Sequence, residues 1–130
     1  MRLTMNNEVR VSDSGKYIIV QINTDMTRSL AEQLGIEAIQ LGKRNKTNRY
    51  FYDLRNSINR ETVNANYIYA KQEVQKIEPS YLNKIAMLVS PNDKSHDFVE
   101  TVLRNAGHNV LIFNDEEKAL SWLLEETEIL

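Results

Sequence analysis

Hydrophobic positions along the chain fall into two kinds of pattern, short alternating or continuous runs and longer stripes at helical spacing, and the two kinds take turns to the C-terminus. Val9 and Val11 alternate with polar neighbours, Asp13-Ser-Gly-Lys16 interrupts them, and Tyr17-Ile-Ile-Val-Gln-Ile22 resumes, which predicts a β-hairpin. Thr24 or Asp25 is placed to cap a first helix whose stripe is Leu30, Leu34, Ala38 and Leu41, with Gly42 marking its end. After the polar stretch 43–49, Tyr50-Phe-Tyr-Asp-Leu54 has the aromatic enrichment of a buried strand that ends near Asp53. From Arg60, the stripe Val63, Tyr67, Ala70, Val74 and Ile77 predicts a long second helix, stopped by Glu78-Pro79.

The same logic continues through the second half. Ile85-Ala-Met-Leu-Val89 is a continuous apolar run too short for a helix and bounded by Ser90-Pro91, so it reads as an interior strand. Phe98, Val99, Val102, Leu103 and Ala106 form the stripe of a third helix, and Gly107 is suited to close it in the left-handed region. Val110-Leu-Ile-Phe113 is a fifth strand. Asn114 with Glu117 suits a capping box for a fourth helix that buries Ala119, Leu120, Trp122 and Leu123. The predicted order is ββαβαβαβα: an α/β fold with a mixed five-stranded sheet, its N-terminal hairpin antiparallel and the remaining strands mostly parallel, flanked by four helices. No repeat or linker divides residues 1–130, so one domain is expected.

Composition narrows the function more than the fold. Hydrophobic residues make up 42% and charged residues 26% of the chain, the balance of a soluble folded domain. Sixteen basic against eighteen acidic side chains leave a net charge of -2, without the positive field that a phosphate backbone requires, so nucleic acid is not an expected partner. No cysteine is present, which removes disulfides, thiolate nucleophiles and cysteine-ligated zinc. No window approaches the ~20 apolar residues of a membrane span, and the first residues do not form a signal peptide, so a cytoplasmic protein without membrane contact is expected.

Catalytic signatures are missing. The four glycines stand apart at positions 15, 35, 42 and 107 and make no phosphate loop; Ser57, Ser90, Ser95 and Ser121 lack a nucleophile-elbow context. Asp25, Asp53 and Asp93 each follow or end a strand and could meet at the carboxyl edge of the sheet, where three carboxylates would hold Mg²⁺ or transfer protons, but Asp is equally the ordinary residue of caps and turns. His96 and His108 lie in different elements without a metal-binding spacing, and both are expected at the surface. The sequence therefore predicts no enzyme, no catalytic residue, no cofactor and no metal.

The element order, the strand ending Tyr52-Asp53-Leu54, and the run Val110-Leu-Ile-Phe-Asn-Asp-Glu-Glu-Lys-Ala-Leu-Ser-Trp-Leu123 together resemble the SpoIIAA-like branch of the STAS, or anti-sigma-factor-antagonist, superfamily. The resemblance covers nearly the whole chain. It implies a mixed sheet flanked by helices and a protein-binding regulatory module rather than an enzyme. In that superfamily a serine in an Asp-Ser-Ser-Gly turn at the start of the helix after strand three is switched by phosphorylation; counted from Asp53, the turn falls on Glu61-Thr-Val-Asn64, and Val63 has no hydroxyl. Thr62 and Ser57 remain as candidate phosphorylation positions, and a phosphate on Thr62 would meet the free N–H groups of a helix start.

On this reading the partner-binding surface is the segment Asp53 to Thr62, with Asp53, Arg55, Asn56, Ser57, Arg60 and Thr62 facing a protein partner or a second copy of the chain. The resemblance also extends to lipid-handling relatives, which makes a carrier of a small hydrophobic ligand, lined by Met26, Tyr52 and Tyr67, the second reading. Residues 85–123 are also similar to the first half of a response-regulator receiver, although Ser90, Pro91 and Asn92 stand where its acidic pair would be, leaving only Asp93.

Overall fold

The computed structural model describes residues 7–59 and 83–125. In chain order these form β1 (Asn7–Val11), β2 (Ile18–Ile22), α1 (Arg28–Arg44), β3 (Arg49–Asp53), β4 (Lys84–Leu88), α2 (Asp97–Asn105), β5 (Asn109–Phe113) and α3 (Glu116–Leu124). The strands lie side by side in sequence order, β1 antiparallel to β2 and every later pair parallel. The expected mixed five-stranded sheet is thus formed. Three helices, not four, stand among the described residues; the helix expected from Arg60 to Ile77 lies outside them.

Sequence-ordered parallel strands fix where the helices go. Crossovers of one hand, made in one direction across a sheet, fall on the same face. Accordingly α1, through Leu34 and Ala38, and α2, through Leu103, pack on the face that carries Ile18, Val20, Ile22, Tyr50, Met87 and Val110. α3, which follows the last described strand, packs over the opposite face, where Ala119 and Leu123 meet Phe51, Ala86 and Leu88. Leu123 and Leu54 are fully buried, each burial contributing about 2 kcal/mol.

Local signals explain the ends of these elements, some one to three residues from where the pattern put them. Gly15 sits at φ 76° in the β1–β2 turn, a conformation that side chains resist. The N-cap of α1 is Thr27, later than Thr24 or Asp25, and its side chain accepts from the Leu30 N–H at 3.1 Å. That helix runs past Gly42 to Arg44. Gly42 instead allows a close approach: a Cβ there would lie 2.9 Å from the Thr47 carbonyl oxygen and collide with the Tyr50 hydroxyl. α2 closes as expected on Gly107 at φ 96°, with the Gly107 N–H on Arg104 O and the His108 N–H on Leu103 O, both 3.0 Å, the paired bonds of a Schellman ending. α3 is capped by Asp115, not Asn114, and the Asp115 carboxylate accepts from the Lys118 N–H at 3.1 Å.

The far end of α3 is held by cations. Lys84 and Arg49, neighbours across β3 and β4, point into the last turn: Lys84 Nζ donates to Trp122 O at 2.6 Å, and Arg49 donates to Leu123 O and, at 3.0 Å, to Glu125 O. Arg49 answers carbonyls that a helix end leaves without intrahelical partners, and Lys84 shares the Trp122 carbonyl with the N–H of the cap residue Glu125, 3.3 Å away. Lys84 also lies 4.3 Å from the centroid of the Trp122 ring. Desolvation, with the Arg49 charge adding to it, lowers the Lys84 pKa, while Glu125 opposes the shift.

Candidate functional site

Position and pairing make the segment after β3 a rigid feature rather than a slack loop. Leu54 still donates its N–H to Leu88 O at 2.8 Å, so the chain leaves the sheet only at Arg55; the Ser57 N–H then returns to Leu54 O at 3.1 Å and closes a turn. Both flanking connections bind this turn and the two residues beyond it. From the β2–α1 side, the Met26 N–H donates to Ile58 O at 2.8 Å, the Asp25 carboxylate accepts from the Ile58 N–H at 3.4 Å, and Met26 and Asn59 form a parallel bridge. From the β4–α2 side, Ser90 Oγ donates to Arg55 O at 2.8 Å and Ser95 Oγ accepts from the Asn59 N–H at 3.0 Å.

His96 completes this set from beneath. Its ring is 2% exposed, and Nε2 lies 2.8 Å from Ser57 O and 3.6 Å from Asp93 Oδ2. A carbonyl only accepts, so Nε2 carries the proton in that contact. The expectation of a surface histidine is thus overturned: burial of an imidazole is tolerated because a fixed acceptor satisfies it. His108, the other histidine, is half-buried, and desolvation pushes its pKa down.

The carboxylates of this edge are tied into the loops. Asp53 receives Arg55 Nε at 3.0 Å, Nη2 at 2.8 Å and the Arg55 N–H at 3.2 Å. Burial works against ionisation of Asp53, but the Arg55 hydrogen bonds and the Arg55 and Arg10 charges outweigh it, and its pKa falls below the ordinary carboxylate value. Arg55 also reaches Glu116 at the start of α3, 3.3 Å away. In Asp93, burial is likewise outweighed by hydrogen bonds from Ser95 and by the His96 charge, and the pKa is lowered. Among the described residues no three His, Asp or Glu side chains are placed to hold a metal ion, so Asp25, Asp53 and Asp93 share an edge of the sheet without forming a cation site.

The residues expected at a partner surface therefore divide. Arg55, Asn56 and Ile58 stand exposed around the turn, with Ile58 44% exposed; Asp53 is half-buried as the Arg55 acceptor. Ser57 faces inward at 1% exposure, and its Oγ makes no hydrogen bond with any described residue, so a kinase reaches it only if the turn opens. Arg60, Thr62 and the 61–64 turn lie outside the described residues, as does Tyr67. Met26 and Tyr52 pack against the core on the α1 face. His96, Ser90 and Ser95 are contributors that motif reasoning overlooked; their signal is the dense polar run Ser90-Pro-Asn-Asp-Lys-Ser-His96 directly after an interior strand. Comparison of the chain with protein-family models, curated proteins and solved structures found no match.

Proposed function

We propose that this chain is a cytoplasmic, non-enzymatic regulatory module of the STAS-like kind, which docks a protein partner on the turn after β3. The observation that carries the reading is the pinning of residues 54–59 by both neighbouring connections while Arg55, Asn56 and Ile58 project outward. A surface already ordered loses little conformational entropy on binding, which is what a recognition element needs. Its composition suits docking, since an arginine whose guanidinium keeps part of its donor set free, beside an exposed isoleucine, resembles the anchor and rim of a protein interface. Among the described residues no helix is long and apolar enough to cross a membrane, which is consistent with a partner met in solution.

Affinity capture from the organism's own extract tests the reading, comparing the parent, Arg55→Ala/Ile58→Ala, and Lys43→Ala/Arg44→Ala in the exposed last turn of α1, which leads to the opposite edge of the sheet. Removing two interface anchors costs about 1–2 kcal/mol each, so species held by the parent and the α1 variant should fall by at least roughly tenfold with the loop variant. Equal retention by all three proteins would sink the reading. Sedimentation of the same proteins reads whether the partner is a second copy.

A further inference from the structure

An edge strand carries a row of main-chain groups that another strand can take up. In β5 these can be assigned: Phe113 O accepts from the Val89 N–H, so Phe113 turns its main chain toward β4, and by the alternation of a parallel ladder Val110 and Ile112 turn theirs outward. The Ile112 N–H is met there by a carboxylate, Glu100 Oε2 of α2, at 2.7 Å. α2 packs on β5, and Leu103 shares the cluster that leaves Val110 only 1% exposed. The helix has nine residues, none fully buried. That is shorter than the about 12–15 residues an isolated helix needs, so its position rests on a few fixed points. Those are Glu100 on Ile112, Leu103 in the core, and the buried His96 just before it.

We propose that α2 is a cover over the β5 edge, with Glu100 as its catch, and that releasing the catch lets β5 pair with β5 of a second copy. The strand is self-complementary. Laid antiparallel about Leu111, it sets Val110 opposite Ile112 of the second copy, and each such pair exchanges two main-chain hydrogen bonds. Half of those bonds use the Ile112 N–H that Glu100 occupies, so catch and second copy exclude one another. Asn109-Val-Leu-Ile-Phe113 contains no charge and no proline of its own to discourage pairing, and among the described residues Glu100 takes that role at the Ile112 N–H.

The experiment joins amide exchange to sedimentation in Glu100→Ala, Glu100→Gln and Glu100→Ala/Ile112→Pro. In Glu100→Ala the Ile112 amide should exchange roughly tenfold faster than in the parent while β4 amides keep their rates, and the sedimenting mass should rise with concentration above the parent's. Glu100→Gln keeps an acceptor and should sediment like the parent. Ile112→Pro removes the outward N–H, a loss an edge strand tolerates, together with part of the Ile112 packing on the core, and should abolish the added association. Unchanged Ile112 exchange, unchanged mass, association of Glu100→Gln equal to that of Glu100→Ala, or association that survives the proline would each overturn the inference. Should Glu100→Ala fail to fold, Glu100→Asp withdraws the carboxylate by one methylene and is read by the same criteria.

Discussion

The two ends of the sheet solve the same problem in opposite ways. At the amino edge, long cationic side chains reach out of β3 and β4 and satisfy a helix's last carbonyls: Arg49 and Lys84 secure Trp122, Leu123 and Glu125. At the carboxyl edge, short polar side chains and main-chain groups secure one another: Ser90 and His96 hold the carbonyls of Arg55 and Ser57, while Ser95 and Met26 hold Asn59 and Ile58. The first arrangement spends its functional groups on the fold. The second fixes the backbone and leaves Arg55, Asn56 and Ile58 facing outward, which is why the carboxyl edge and not the amino edge is where recognition is expected.

The largest break in this contrast should come from His96→Ala. It deletes a buried ring and orphans the Ser57 carbonyl, for a loss of about 2–4 kcal/mol in urea unfolding. Because His96 acts through Ser57, retention of the docking partner should fall as well, even though the imidazole is too deeply buried to touch it. His96→Gln, which can place a donor near the same carbonyl, should recover part of both losses. Stability lost with docking intact would show that His96 merely fills space.

Lys84→Ala should cost less, about 1–3 kcal/mol, by removing the charged donor from the Trp122 carbonyl, which among the described residues keeps only the Glu125 N–H, and the cation above its ring. The loss is offset in part because the buried ammonium is itself expensive. Its lowered pKa means that the folded state holds the proton less tightly than the unfolded chain, so that cost is fully present at neutral pH and is relieved only as pH rises through the folded pKa. Docking should not change. A Lys84→Ala protein that unfolds like the parent, or that loses its partner, would erase the distinction between the two edges.

How much of this was legible in the chain depends on which interactions are local. Alternation and stripe spacing are local, and they place all five strands and the three described helices; Gly107 marks its helix end because only the left-handed region fits there. Caps are local too, but Thr24, Asp25 and Thr27, or Asn114 and Asp115, are chemically equivalent candidates, and the choice between them depends on how the preceding strand leaves the sheet. His96 and Ser57 could not be placed at all from spacing. They are 39 residues apart, and a histidine in a polar run reads as exposed unless the carbonyl waiting for it is known. Arg55 read as exposed because polar loop residues usually are; that its guanidinium would fold back on Asp53, two residues before it, is a turn geometry the pattern does not encode.

That last pair gives the gentlest test of the contrast, through acid. Asp53 titrates below its ordinary value, so its folded form binds protons less readily than the unfolded chain, and the stability it contributes is present above about pH 5 and is lost as pH falls below about 4 and through the folded pKa. The Arg55 side chain is 46% exposed, so solvent screening holds the contribution to ~0.2–1 kcal/mol. Asp53→Asn should lower stability by that amount at pH 7 and flatten this part of the acid limb, while the amino edge, whose cations donate to the main-chain carbonyls of Trp122, Leu123 and Glu125, should keep its amide protection across the same range. Acid exchange measured along the chain should therefore loosen residues 54–57 before the end of α3. Simultaneous loosening of both ends would mean that the turn has no stability separate from the sheet, and a recognition surface preset by its own pins would lose its physical basis.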